Sequence, residues 1–214
     1  MKVRIAKKEM AEAISTLRME AYKVATNATL NDNSFLKWDA IDDESLVLYI
    51  EDDLGNPISS MRGIYVESAE EIEALFDISI NGKLEFPMFL IDRLTTDIKF
   101  RRQGLSGVFR YIYIDACLKS KVKNIAFTIN DGASRIPRMK KIGFTFERAD
   151  LSKRQKSVYN NTSDVLLAML GKEKFKYAQE VAKDDLKIDL NSVEIEDGFY
   201  EAFASFLAGS PVLV

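Results

Sequence analysis

The 214-residue chain is 47% hydrophobic and 29% charged, proportions that suit one buried core in a soluble protein. Thirty Lys and Arg against 33 Asp and Glu leave a net charge of −3, which argues against nucleic acid as the main partner. There is no histidine to act as base or ligand, and the single Cys117 excludes an internal disulfide and a Cys-cluster zinc site, so no metal is expected. The opening MKVRIAKKEMAEA has no apolar signal core and no run approaches a membrane span, so a cytoplasmic location is expected.

VRIA (3–6) reads as a short strand. Met10, Ile14, Leu17, Ala21 and Val24 then recur at helical spacing, the stripe of an amphipathic helix. Residues 27–44 are polar with Phe35, Leu36 and Trp38 embedded; Phe35 and Trp38 read as core or pocket wall, while the acidic DDE at 42–44 reads as an exposed charged loop, with attraction of an amine substrate as its other reading. SLVLYI (45–50) and PISSMRGIYV (57–66) flank a Gly55-Asn56 turn and form a hairpin. Ser68 and Glu71 make a capping box for a helix over 68–76. PMFLIDRLTTD (87–97) is a long strand.

After KFRRQGLSGVF (99–109), the apolar positions Leu105, Val108, Phe109, Ile112 and Ala116 predict a helix with one buried face. Tyr111 and Tyr113 are expected to divide between interface and solvent, and Cys117 to be a small buried hydrophobe. NIAFTI (124–129) is an apolar strand, Pro137 suits the first turn of a short helix, and GFTFERAD (143–150) and DVLLAML (164–170) are strand-like around a polar stretch at 151–161. Residues 172–186 are helical, and the tail 187–214 is amphipathic, ending in SPVLV. The alternation implies an α/β (α+β) chain, a mixed sheet with helices on its faces.

The stretch from Arg101 to Gly107 carries the chemistry. A helix that opens directly after a strand exposes unpaired N–H groups at the positive end of its dipole. Gly104 and Gly107 would let a ligand approach the backbone, Ser106 adds a hydroxyl, and Arg101 and Arg102 add charge at the rim. This combination suits a pyrophosphate. The same letters also suit a plain turn with solvated arginines. No GxxxxGK[ST] is present, and no GxGxxG follows the first strand, which removes Walker-type and Rossmann phosphate loops.

Arg101-Arg102-Gln103-Gly104-Leu105-Ser106 resembles the Q/R-x-x-G-x-G/A acyl-CoA motif of the GNAT N-acyltransferases, with Ser106 at the last small position. In that family the motif follows the fourth strand, as IDRLTTD precedes it here, and NDGASRIPRMKKIGF resembles the second landmark, an Asn-led loop and a helix ending in Gly143-Phe144. The resemblance implies a mixed, mainly antiparallel sheet flanked by helices, with acyl-CoA in the V between strands 4 and 5. It implies a GNAT-like domain over 1–170, with 171–214 as a C-terminal helical extension of it. Amides from Gln103 through Gly104, Leu105 and Ser106 to Gly107 would hold the CoA pyrophosphate, with Arg101 and Arg102 beside it. Leu94, Thr95 and Thr96 would run along the pantetheine arm, and Asn130 would sit at the splayed end of the next strand. The implied activity is direct transfer of an acyl group, acetyl first, from acyl-CoA to a primary amine of a small molecule or amino acid. With no histidine, Asp92 is the candidate base, and pairing with a neighbouring arginine is its other reading. Met139 stands where many members place a tyrosine acid.

A fainter resemblance links Arg18, Trp38, Asp39, Asp42, Arg62 and Arg93 to the long-chain N-acyl amino acid synthases and acyl-homoserine lactone synthases, which share the GNAT fold. Lactone synthases carry Glu three residues before the strand-4 Arg, where this chain has Leu90. This branch implies longer acyl groups drawn from acyl-carrier protein or acyl-CoA. A third reading is a non-catalytic acyl-CoA-binding module. The apolar tail packs in cis or across a homodimer in these readings.

Overall fold

The computed structural model describes residues 1–26, 36–76, 78–79, 84–150, 164–186 and 188–209. Phe35, the polar stretch at 151–161 and the SPVLV tail lie outside them. In chain order the elements are β1 (Lys2–Ile5), α1 (Ala11–Thr26), α2 (Ala40–Asp43), β2 (Leu46–Glu51), β3 (Pro57–Val66) and α3 (Ala69–Phe76). Then follow β4 (Met88–Thr96), α4 (Leu105–Leu118), β5 (Asn124–Asn130), α5 (Ile136–Ile142), β6 (Thr145–Arg148) and β7 (Val165–Gly171). The chain continues through α6 (Phe175–Asp184), β8 (Glu194–Ile195) and α7 (Phe199–Leu207).

The strands form one eight-stranded sheet in the order β6-β7-β5-β4-β3-β2-β1-β8. Neighbours run antiparallel except β4 with β5 and β1 with β8. The period-2 alternation of the central strands sends their side chains to two cores. On one face Leu48, Met61, Phe89 and Ile91 pack with Val108, Phe109 and Ile112 of α4 and with Phe175 and Phe203 of α6 and α7. On the other, Val47 and Tyr49 meet Ile14 of α1, and Leu90 and Ile64 meet Ile72 of α3. Tyr113 belongs wholly to the first core, against expectation: it is 0% exposed, and its hydroxyl donates to the Leu46 carbonyl at 2.8 Å, which satisfies the one polar atom such burial would strand. Cys117 is buried on the same helix.

Residues 171–209 add more than helices. β8, which the amphipathic tail did not announce, joins β1 in parallel and returns the chain to the far edge of the sheet. α6 and α7 are tied to α4 through Asp115, which accepts from Tyr200 Oη, Gln179 Nε2 and Lys119 Nζ. None of the described helices is long and apolar enough to cross a membrane.

Candidate active site

β4 and β5 pair only from Met88 to Leu90 with Asn124 to Ala126. Beyond that point β4 continues along β3 alone and β5 along β7 alone, so two parallel strands diverge toward their C-terminal ends. The backbone edges facing the gap have no partner strand, and the gap opens beside the segment that leads into α4.

The wall contributed by β4 carries a bulge. Ser60 pairs with Thr95 and Arg62 with Asp92, so two residues of β4, Arg93 and Leu94, stand opposite one of β3. Arg93 takes the rare left-handed conformation, φ 48°. In a regular strand Asp92 and Arg93 would face opposite sides. Here both turn toward α1 and α2, and with residues of those helices they form a network of three arginines and three aspartates.

Arg18 of α1 is 0% exposed and grips Asp42 with two hydrogen bonds of 2.8 Å. Asp42 also accepts from Arg93 Nη1 at 2.7 Å, while Arg93 Nη2 reaches Asp39. Arg62 of β3 holds both oxygens of Asp92, one of them through Nε at 2.7 Å, and its Nη1 lies 3.3 Å from Asp39. Asp39 caps α2 in a reciprocal box with Asp42, which fixes both carboxylates. Burial pushes the Asp42 pKa up, but the hydrogen bond and charge of Arg18 with the charges of Arg93 and Arg62 outweigh it and hold the carboxyl below its ordinary value. The acidic stretch at 42–44 is therefore not simply an exposed loop: Asp42 is 1% exposed, and Asp43 accepts from Trp38 Nε1 at 2.7 Å.

The α4 entrance is the other half. Gly104 occupies the N-cap with φ 94°, and no side chain caps the helix. Among the described residues no hydrogen bond engages the N–H groups of Gln103, Gly104, Leu105 or Ser106. The Gly107 N–H, expected to join them, is used inside the helix on the Gly104 carbonyl at 2.8 Å. A Cβ on Gly107 would lie 2.8 Å from Leu186 Cδ2, so this glycine admits the chain after α6 rather than a ligand. Arg101 is tied down: its guanidinium donates to the carbonyls of Ala21 at 2.8 Å and Thr96 at 3.3 Å, pinning the loop to α1 and to the end of β4. Arg102 and Gln103 are exposed, and Arg102 has φ 65°. Thr95 is buried with its hydroxyl on the Arg93 carbonyl, and Thr96 shares a 2.8 Å hydrogen bond with Ser59, so these threonines brace the strand. Leu94 is half-buried against the larger core, and Asn130 is exposed at the end of β5, across the gap.

No family model matches the sequence, and no curated protein matches it either. Solved structures do. The CoA-dependent acyl-homoserine lactone synthase BjaI, solved with SAM and isopentyl-CoA, superposes with TM-score 0.63 and 12% identity over 91% of this chain and 92% of its own. A second CoA-dependent lactone synthase, MesI, gives 0.56 and 13% over 92% and 100%. A GNAT-family acetyltransferase from Listeria monocytogenes gives 0.54 and 15% over 79% and 93%. The fold is GNAT-like.

Within a GNAT-like fold, the contacts bear on Asp92 and Met139. Asp92 was the candidate base, but both its oxygens are held by Arg62, the arrangement of a paired carboxylate rather than a free acceptor. Met139, at the position of the family's tyrosine acid, is 1% exposed and part of the core. Two features escaped the sequence reading. The β4 bulge has no letter code, since Arg93 is an unusual residue for φ above zero. A group of arginines around α5 was also missed, because its members are distant in sequence.

Proposed function

We propose that this chain is an N-acyltransferase that moves an acyl group from acyl-CoA to the primary amine of a small molecule or an amino acid. The observation that carries the reading is the meeting of two features: strands that part beyond Leu90 and Ala126, and an uncapped α4 N-terminus beside their open ends. Free amides from Gln103 to Ser106 suit a pyrophosphate, and the unpaired edges of β4 and β5 suit an extended amide-bearing arm lying between them. When bound, acyl-CoA supplies a thioester whose thiolate is a competent leaving group. The chain's contribution is mainly positioning, which turns a bimolecular encounter into an oriented one. All three nearby carboxylates are in ion pairs, and Asp42 is held below its ordinary pKa, so the amine proton passes to water in this reading. Asp92 then orients Arg62 at the edge of the cleft.

Acetyl transfer is the first form of the reading. A second form, with longer acyl groups and an amino-acid-like acceptor, is favoured by the Arg18–Asp42–Arg93 network and by the greater share of this chain, 91% against 79%, that BjaI covers compared with the Listeria acetyltransferase. Thermal unfolding with CoA, acetyl-CoA, a long-chain acyl-CoA and ATP, followed by thiol release across an amine panel, tests both. Stabilisation by CoA thioesters but not ATP supports the reading, because a ligand that binds only the native state raises the melting temperature. The acyl-length trend chooses between its forms. Binding with no thiol release across the panel would leave an acyl-CoA-binding module, and no shift at all would end the proposal.

A further inference from the structure

Arg110 lies on α4, one helical turn beyond Gly107. It is only 8% exposed, and no hydrogen bond or ion pair engages it among the described residues. A buried cation without a partner is costly, and native structures normally supply one. What exposure it keeps, 8%, is small for so long a side chain. Side chains of a helix lean toward its N-terminus, the direction in which the first turn of α4 lies.

Two further arginines press on the same place. Arg138 of α5 comes within 3.7 Å of where a Gly107 Cβ would be, and Arg135 stands at the N-terminal cap of α5. The carboxylate paired with this group among the described residues is Asp185, 3.4 Å from Arg138 Nε and shared with Lys141 at 2.7 Å, and Arg138 Nη2 also donates to the Asp185 carbonyl at 3.2 Å. Burial, then the charges of Arg138 and Arg135, pushes Arg110 down to about 10. Among the described residues, positive charge here therefore exceeds the carboxylate that faces it.

We propose that Arg110, with Arg138 and Arg135, forms a second anion subsite beside the α4 N-terminus that takes a phosphomonoester dianion. Resting on the acyl-CoA reading, its occupant is the 3′-phosphate of CoA, whose pyrophosphate the α4 amides hold. Arginine suits this work because its planar fork binds phosphate oxygens in pairs. The helix amides alone cannot distinguish CoA from its 3′-dephospho form, whereas the arginine group can.

The test compares binding of CoA, 3′-dephospho-CoA, adenosine 3′,5′-bisphosphate and inorganic phosphate to wild type and to Arg110→Met, which keeps the aliphatic bulk. Wild type should prefer CoA to dephospho-CoA by about tenfold or more, the return expected of a charge-assisted contact. In Arg110→Met that preference should fall toward one while dephospho-CoA binding holds. The unliganded variant should also melt at a higher temperature, since a buried uncompensated charge is gone. Arg135→Ala, at an exposed position, should lower the preference without unfolding the protein. Inorganic phosphate separates the sources: a shift in wild type lost in Arg110→Met would show the subsite also accepts a free anion.

Equal binding of CoA and dephospho-CoA by wild type, or an unchanged preference in Arg110→Met, would overturn the proposal and leave the acyl-CoA reading standing. If neither CoA form binds, the acyl-CoA reading fails. Adenosine 3′,5′-bisphosphate then decides the subsite: a shift lost in Arg110→Met keeps it, and no shift removes it.

Discussion

Two groups of arginines flank the parting of β4 and β5, and they are built on opposite principles. Arg18, Arg62 and Arg93 face Asp39, Asp42 and Asp92 in equal number, with bidentate geometry and a reciprocal cap holding the acids in place. Arg110, Arg135 and Arg138 have Asp185 between them, and Asp185 is shared with Lys141. The first group balances its own charge, and of its buried side-chain nitrogens and oxygens only Arg18 Nε is left without a hydrogen bond among the described residues. The second carries more positive charge than the described residues around it compensate. A neutral, rigid network shapes a wall, whereas an uncompensated one suits an ion of opposite charge, and in the proposed reading it is the α4 side that meets the phosphates of the cofactor.

The largest effect should come from breaking the complete network at its centre. Asp42→Ala strands Arg18 at 0% exposure and removes a partner of Arg93 and Arg62, so denaturant unfolding should show a loss of about 3–5 kcal/mol. The opposite sign expected for Arg110→Met is what makes the contrast testable: a loss of stability there would mean the two groups are alike. The network also has a pH signature. Because the Asp42 pKa is lowered on folding, its contribution is full above the unfolded value of about 4 and is lost as pH falls through the lower folded value. Acid unfolding of Asp42→Asn should lack that component, and an identical acid profile would put the network's stability elsewhere.

The next effect concerns the clamp that joins the two sides. Arg101 donates to the Ala21 and Thr96 carbonyls, and hydrogen bonds from charged donors are worth roughly 1.5–3 kcal/mol. Arg101→Ala should lower stability by an amount near the bottom of that range, because the side chain is half-exposed, and should weaken CoA binding by freeing the loop. Weakened binding with unchanged stability would make Arg101 a direct ligand residue instead.

Asp92→Asn sharpens the comparison on the side of chemistry. Removal of a general base lowers turnover by about 10²–10⁴. A residue that only orients Arg62 should cost no more than about tenfold in kcat and leave the pH profile of turnover unmoved. A loss of a hundredfold or more, with a displaced basic limb, would restore Asp92 as the base.

How much of this was legible follows from what each feature depends on. Period-2 and period-3.6 patterns place Val108, Phe109 and Ile112 on the inner face of α4, and the Gly-rich turn ahead of it marks the helix start, since these are local consequences of backbone geometry. Arg18, Asp39, Asp42, Arg62 and Arg93 were recognisable as a set through likeness to a family, but their mutual neutralisation was not, because it requires the Arg93 bulge. Asp42 reads as loop acid in sequence because burial of a charge is decided by partners far along the chain. Arg110 looks like any polar residue of an amphipathic helix. Its lack of a partner among the described residues appears only in three dimensions, where the charges of Arg138 and Arg135 bear on it and Asp185 is shared with Lys141.

The smallest effect belongs to Gly107, and it bears on how the α4 entrance works. Two explanations compete for a glycine there: close approach of a ligand, or close approach of the chain itself. The second is favoured because a Cβ would touch Leu186 Cδ2 at 2.8 Å, the end of a flexible side chain, and because the Gly107 N–H is already committed to the Gly104 carbonyl. Gly107→Ala therefore sets a modest packing cost against a gain of about 1 kcal/mol in helix propensity, and net stability should move by about 1 kcal/mol or less. The stabilisation produced by CoA should persist. Gly104→Ala is the control: at φ 94° an alanine is strained, so the loop must rearrange, and the CoA response should shrink even where the protein remains folded. If Gly107→Ala abolished the response and Gly104→Ala spared it, the ligand would have to reach past the first turn of α4, and the placement of the pyrophosphate on the Gln103–Ser106 amides would be wrong.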